Sequence, residues 1–128
     1  MASLRTIFIT LLGNLMFIAA SCQVVDSNAI SNEQFREATA GGKSAILDVR
    51  TAEEYREGHI PGAINYDVLD EENFKKQLSA LPKDKAYVLY CRSGKRSLTA
   101  LRIMKEQGFP DVKHLRDGIK GWDGEVVQ

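Results

Sequence analysis

The sequence predicts an α/β domain with a mostly parallel central sheet and helices on both faces. Two observations lead to this fold class. Short apolar segments rich in β-branched and aromatic residues recur along residues 45–115, and they alternate with segments that carry helical caps or helical apolar spacing. Strands that alternate with helices are joined by right-handed crossovers and therefore run mostly parallel. A parallel sheet is buried on both faces, so helices are expected on both sides.

The elements are predicted in chain order from local signals. Residues 23–30 form a short tether or a first strand. Ser31 begins a helix that runs to about Thr39, because Gln34 completes a capping box, and the glycines at 41–42 end it. The remaining predicted elements are strand 45–49, helix 52–57, strand 63–66, helix 71–80 stopped by Pro82, strand 86–90, helix 97–107 ended by Gly108, and strand 112–115.

Residues 1–21 differ from the rest of the chain. Arg5 is their only charge, and residues 6–20 are mostly apolar, which predicts a signal peptide cleaved before Cys22. The small residues ahead of Cys22 resemble a bacterial lipoprotein signal, and that resemblance implies lipidation of Cys22. We therefore expect an exported protein, either periplasmic or anchored to a membrane through Cys22, with plain secretion as the alternative. Residues 22–30 would form the tether and residues 31–128 a single domain.

Composition excludes several classes of function. The 17 basic and 17 acidic side chains give a net charge of zero, and aromatic residues are not interleaved with basic ones, which argues against nucleic-acid binding. The two histidines and two cysteines lack the spacing of metal ligands, and no dinucleotide fingerprint is present. No cofactor is expected. No disulfide is expected either, because Cys22 belongs to the predicted cleavage site, so Cys91 would have no resolving partner.

Cys91 lies where a buried strand is followed by a basic loop that contains a glycine. Gly94 can adopt positive φ, which allows the loop to turn consecutive N–H groups toward an anion, and the following helix adds its positive end. Such surroundings stabilise a thiolate. Arg92, Lys95 and Arg96 are too far from any carboxylate in sequence to be helix pairs, since none lies between residues 84 and 106. The pattern predicts a reactive thiol in an anion-binding loop, rather than a buried cysteine beside a solvated turn.

The spacing within the loop narrows the chemistry. Four residues separate Cys91 from Arg96, and Ser97 stands where a phosphatase signature would place its arginine. The loop Cys-Arg-Ser-Gly-Lys-Arg-Ser resembles the active-site loop of the rhodanese (thiosulfate sulfurtransferase) family. Two further segments resemble other signatures of that family. The first is Leu47-Asp48-Val49-Arg50 followed by Glu54-Tyr55 and Gly58-His59-Ile60-Pro61-Gly62-Ala63-Ile64-Asn65, and the second is Leu115-Arg116-Asp117-Gly118-Ile119-Lys120-Gly121-Trp122.

The resemblance implies a three-layer rhodanese-like fold and sulfur transfer through a persulfide on Cys91. The donor would be thiosulfate or a similar small anion, and the acceptor a thiol or cyanide. The residues implied to bind the anion are Arg92, Ser93, Gly94, Lys95 and Arg96. The main alternative is a persulfide carrier or protein-binding module with little thiosulfate turnover. Phosphatase or arsenate reductase chemistry is a third reading, which the loop length disfavours.

Several polar residues outside the loop admit two readings. Asp48 closes a strand at the edge where Cys91 is expected, so it can hold Arg96 or Arg50; a helix cap or a surface ion pair is the alternative. Glu54 completes a capping box with Thr51, which accounts for it without a catalytic role. His59 lies in a rigid turn, and we assign it to structure.

Two further residues are assigned from their sequence neighbourhood alone. His114 lies in a predicted strand with no motif around it. Trp122 is expected to pack as a core or rim aromatic near the C-terminus.

Overall fold

The computed structural model describes residues 27–128. The predicted signal peptide, Cys22 and residues 22–26 of the predicted tether lie outside this range. None of the helices in residues 27–128 is long and apolar enough to cross a membrane. The elements are strands β1 Ala29–Ile30, β2 Ser44–Asp48, β3 Ile64–Asn65, β4 Ala86–Tyr90 and β5 Val112–Leu115; helices α1 Asn32–Thr39, α2 Ala52–Glu57, α3 Glu71–Leu78 and α4 Lys95–Glu106; and 3₁₀ turns Ala40–Gly42 and Ile119–Gly121.

The five strands form one sheet in the order β1-β5-β4-β2-β3. Every pair of neighbouring strands is parallel, so the predicted α/β class with a parallel sheet is confirmed. Strand β4 occupies the centre, where Leu89 is paired with Leu47 of β2 on one side and His114 of β5 on the other. Because all strands point the same way, their carboxyl ends meet at one edge of the sheet, where ligands bind in open α/β folds.

Helices cover both faces of the sheet, as predicted. On one face the larger apolar cluster contains Phe74 of α3 and Met104 of α4, both fully buried against Leu47 and Leu89. On the other face a smaller cluster contains Phe35 of α1, with Tyr55 of α2 and Trp122 packed against it. The ring of Trp122 meets Phe35 edge to face at 5.0 Å, so Trp122 is the predicted packing aromatic.

The capping boxes at Ser31 and Thr51 are present as predicted. Helix α3 ends at Leu78, two residues earlier than predicted. The departure that bears on the site concerns α4, which begins at Lys95 rather than at residue 97. Gly94 takes a left-handed conformation with φ of 98° at the helix N-cap, so the chain enters the helix as soon as it leaves this glycine. Two of the three predicted loop cations, Lys95 and Arg96, therefore belong to the first turn of α4.

Candidate functional site

The Cys91 side chain lies at the carboxyl end of β4 and is 1% exposed. Its sulfur accepts hydrogen bonds from the backbone N–H groups of Gly94, at 3.1 Å, and Ser97, at 3.3 Å. The Ser97 hydroxyl oxygen lies 3.7 Å from the same sulfur. Strand β4, the turn at Gly94 and the first turn of α4 therefore form a cup of donors around one sulfur atom, and this cup is suited to a thiolate.

The loop is held from behind by the segment that follows β5. The N–H groups of Ile119 and Lys120 donate to the carbonyl oxygens of Cys91 and Arg92, at 2.9 and 3.0 Å. Gly118 adopts φ of 63°, and a Cβ there would collide with the backbone of Arg92. This close approach gives a physical reason for glycine at that position, which belongs to the third sequence segment quoted above.

These surroundings lower the pKa of the Cys91 thiol below its ordinary value. Burial is the largest single influence and by itself raises the pKa, because it disfavours the charged form. The hydrogen bonds from Ser97 backbone and side chain, and from the N–H groups of Ser93 and Gly94, act together in the opposite direction and outweigh burial. The sulfur is thus activated by backbone and hydroxyl dipoles.

The three cations of the loop have different positions. Arg92 and Lys95 are exposed, and among residues 27–128 no carboxylate lies within ion-pair distance of either one. Arg96 is partly buried and forms a two-fold ion pair with Glu54, with N···O distances of 2.6 and 2.9 Å. Among the residues that the structure describes, Arg92 and Lys95 are thus free to attract an incoming anion, whereas Arg96 is already neutralised by a carboxylate.

Glu54 is the functional candidate that the sequence reasoning missed. Its capping box with Thr51 is present, but its carboxylate also clamps Arg96, which is 42 residues away in sequence. The hydrogen bond from Arg96 is the main cause that lowers the pKa of Glu54 to about 2. Glu54 therefore holds the guanidinium of Arg96 in place and neutralises its charge.

Asp48 contacts Arg50 and not Arg96. The guanidinium of Arg50 donates to both Asp48 oxygens, at 2.7 to 3.2 Å, and both residues are buried. Asp48 also accepts from the Tyr90 hydroxyl at 2.7 Å, while Arg50 donates to the carbonyl of Gly58. This network ties β2 and β4 to the turn at residues 58–60, so the pair supports the sheet edge beneath the site.

Residues 31–125 match the protein-family model of the rhodanese-like domain. The chain belongs to the rhodanese-like family. A putative sulfur carrier protein of Bacillus subtilis, YrkF, is 38% identical over 98 residues, which are 76% of this chain and 51% of YrkF. A putative sulfurtransferase of the same organism, YtwF, is 40% identical over 81 residues, or 63% of this chain and 75% of YtwF.

A solved structure supports the same assignment of the fold. The rhodanese-related protein of Thermoplasma volcanium superposes with a TM-score of 0.69 at 25% identity, covering 78% of this chain and 97% of that one. The rhodanese-like fold of this domain is thereby established. The chain spans about half the length of YrkF, so the activities of such longer relatives enter below only as proposals.

The two histidines of this rhodanese-like domain have different surroundings. His59 stacks on Tyr55 with ring centroids 3.7 Å apart, and its backbone forms a bridge with Val127, which agrees with a structural role. His114 is 2% exposed, and its Nδ1 lies 2.9 Å from the Ser97 hydroxyl, which itself faces the Cys91 sulfur. No local sequence signal linked His114 to the site; only the parallel pairing of β5 with β4 brings it there.

Proposed function

We propose that this protein is a sulfurtransferase that carries sulfane sulfur as a persulfide on Cys91. The observation that carries the proposal is the cup of donors around a buried sulfur with a lowered pKa, in a loop that also carries two exposed cations. Family membership supports the reaction class, and two relatives bear the names sulfurtransferase and sulfur carrier. Thiosulfate is the proposed donor because it is a small dianion, which Arg92 and Lys95 can attract.

The proposed reaction has two displacement steps. The Cys91 thiolate attacks the outer sulfur of thiosulfate, the S–S bond of thiosulfate breaks, and sulfite leaves with the bonding electron pair. An acceptor thiolate or cyanide then attacks the outer sulfur of the persulfide. The persulfide S–S bond breaks, the Cys91 thiolate is regenerated, and the acceptor leaves as a persulfide or as thiocyanate. No external oxidant or reductant is consumed.

The charges of the reactants assign a role to each part of the loop. Thiolate, donor dianion and leaving sulfite are all negative, so Arg92 and Lys95 offset their repulsion during approach. The N–H groups of Ser93, Gly94 and Ser97 stabilise the sulfur charge before attack and again when the thiolate is regenerated. Losing one preorganised donor of this kind costs about 3 kcal/mol of barrier, or roughly a hundredfold in rate.

A persulfide carrier with little thiosulfate turnover is the second candidate. The observation that favours it is the similarity to the putative sulfur carrier YrkF, together with the near-complete burial of the Cys91 side chain. In this reading the same persulfide forms, but it is loaded and unloaded by protein partners. The two candidates differ in donor and not in the position of the persulfide.

The deciding experiment measures the intact mass of the protein after incubation with thiosulfate, before and after cyanide. A Cys22→Ser background leaves Cys91 as the only thiol of the chain. We expect the mass of one sulfur atom to be gained and then removed by cyanide, and no gain in Cys91→Ser. A gain that persists in Cys91→Ser would refute the assignment of Cys91. No gain in either protein would favour the carrier, to be tested next with a protein persulfide as donor.

We further propose that the protein is exported and lipidated on Cys22. This proposal rests on the sequence pattern of residues 1–22 alone. A tether that ends before β1, which begins at Ala29 and corrects the predicted tether of residues 22–30, would then leave the domain close to a membrane surface, with donors and acceptors drawn from the compartment outside the cytoplasm.

A further inference from the structure

Behind the Cys91 sulfur, the Ser97 hydroxyl lies among three polar groups. Its oxygen is 3.7 Å from the sulfur, 3.0 Å from the carbonyl oxygen of Gly94 and 2.9 Å from Nδ1 of His114. Ser97 is fully buried and His114 is 2% exposed. A serine hydroxyl has one proton to donate and can accept from other donors, so these contacts compete for a single proton.

Counting protons defines the possible arrangements. When Cys91 is a thiol, its S–H can donate to the Ser97 oxygen while the hydroxyl donates to Gly94. When Cys91 is a thiolate, the sulfur needs the hydroxyl proton. An Nδ1 of His114 that carries a hydrogen and donates to Ser97 favours this arrangement, because a bare Nδ1 would be a further acceptor for the hydroxyl proton beside the Gly94 carbonyl.

We propose that His114 is a positioning residue, whose Nδ1–H donates to the Ser97 hydroxyl and so directs the single hydroxyl proton toward the Cys91 sulfur. Ser97 contacts the sulfur, and His114 acts only through Ser97. The inference rests on the proposed function in one respect: Cys91 must be the reacting sulfur.

The groove beside the imidazole of His114 is lined by two cations, Lys95 and Arg116. The lining of this groove also includes Leu98 of α4, Gln34 of α1 and Ala29 of β1. Arg96 is paired with Glu54.

Substitutions at position 114 separate donation from other roles. An asparagine places its amide nitrogen near the Nδ1 position and keeps a donor that cannot be ionised. A leucine fills a similar volume without any donor. His114→Asn should therefore keep the Ser97 hydroxyl proton directed toward the Cys91 sulfur, and His114→Leu should not. His59→Asn is the matched control, because the other histidine of the chain has no contact with Ser97 or Cys91.

The experiment measures alkylation of Cys91 by iodoacetamide across pH, together with the ultraviolet absorbance of the thiolate, in the Cys22→Ser background. We expect His114→Leu to react roughly three- to tenfold more slowly below the thiol pKa, since a hydrogen bond to a charged group is lost and a more basic thiolate recovers part of the rate. Ser97→Ala should slow the reaction similarly. The double variant should be no slower than Ser97→Ala alone.

Three outcomes would overturn the proposal. The first is a pH profile of Cys91 alkylation in His114→Leu that equals that of the wild type. The second is a loss of alkylation rate in His114→Asn as large as that in His114→Leu. The third is a double variant that is slower than Ser97→Ala by the same factor by which His114→Leu is slower than the wild type.

Circular dichroism checks that each variant is folded. If His114→Leu does not fold, His114→Gln replaces it, because its longer amide misses the Nδ1 position. Alkylation needs no sulfur donor, so failure of persulfide formation with a normal alkylation series would count against sulfur transfer and not against this inference.

Discussion

The reactivity of one atom, the Cys91 sulfur, depends both on residues close to it in the sequence and on residues far from it. Gly94 and Ser97 are near it in the chain, and the local motif was sufficient to predict an activated thiol. Glu54 and His114 could not be predicted in the same way. Glu54 lies 42 residues from Arg96, and His114 lies 17 residues from Ser97. Glu54 was already explained as a capping residue and His114 as a strand residue. The sequence around them therefore gave no reason to assign either one a second role at the site.

Gly94→Ala tests whether the turn beside the sulfur requires glycine. Gly94 adopts φ of 98°, and a Cβ would collide with the carbonyl oxygen of Arg116. We expect slower alkylation of Cys91 and a loss of about 1–3 kcal/mol in the free energy of unfolding, measured by urea titration. Gly62→Ala is the matched control, because Gly62 adopts φ of 84° with nothing within 4 Å of a Cβ. Equal losses in the two variants would show that backbone strain alone is responsible.

Glu54→Gln tests whether the ion pair between Glu54 and Arg96 makes the stability of the protein depend on pH. The pKa of Glu54 is lowered from 4.5 to about 2, so its contribution to stability is fully present above pH 4.5 and is lost as the pH falls toward 2. We expect wild type to be more stable than Glu54→Gln at neutral pH, and the difference to shrink across that window in thermal unfolding. Glu53→Gln, an exposed neighbour, serves as the control. A difference independent of pH would contradict the clamp.

At the scale of elements, the sequence predicted which segments are helices and strands better than where they begin. The capping boxes placed the starts of α1 and α2 because both partners lie within four consecutive residues. The start of α4 was missed by two residues because no side chain caps it. The N-cap is Gly94 in a left-handed conformation, and the backbone of Arg116 leaves no room for a Cβ at this position. Strand β3 is shorter than predicted, with only Ile64–Asn65 paired to β2.

Asp48→Asn tests how the buried ion pair joins the elements at the sheet edge. Removing the charge leaves the Arg50 guanidinium buried without a counterion, and such changes typically cost about 3–5 kcal/mol. We expect a loss of that size in urea unfolding. Tyr90→Phe removes only the hydroxyl that donates to Asp48 and accepts from Ile60, so it should cost less. A loss below that of Tyr90→Phe would show that the pair does not hold the edge.

At the scale of the whole molecule, alternation of strands and helices predicted a parallel sheet but not the order of its strands. The order depends on which crossover passes over which neighbour, and this is decided by long-range packing. The short first strand is an example: β1 is next to β5, the last strand in the chain, where His114 donates its backbone N–H to Asn28. The site therefore draws on both ends of the domain.

The proposed export of the whole protein gives a prediction at the same scale. When the full chain is expressed in a bacterium, we expect it in the membrane fraction, processed and labelled by a radioactive fatty acid. Cys22→Ser should abolish the label and the membrane association. Leader-containing protein confined to the cytoplasm would contradict export, and processed but unlabelled wild type would indicate plain secretion instead of lipidation.

The parallel sheet has two opposite rims, one at each end of its strands, and these rims differ in how well they tolerate changes to the chain. All of the candidate chemistry lies where the strands end, whereas the turn at residues 82–85 precedes β4 at the opposite rim and is exposed. Insertions at such turns are tolerated well because few buried contacts are disturbed. A fluorescent reporter or an affinity tag could therefore be placed within residues 82–85, which leaves both the predicted signal peptide and the candidate sulfur undisturbed for assays in living cells.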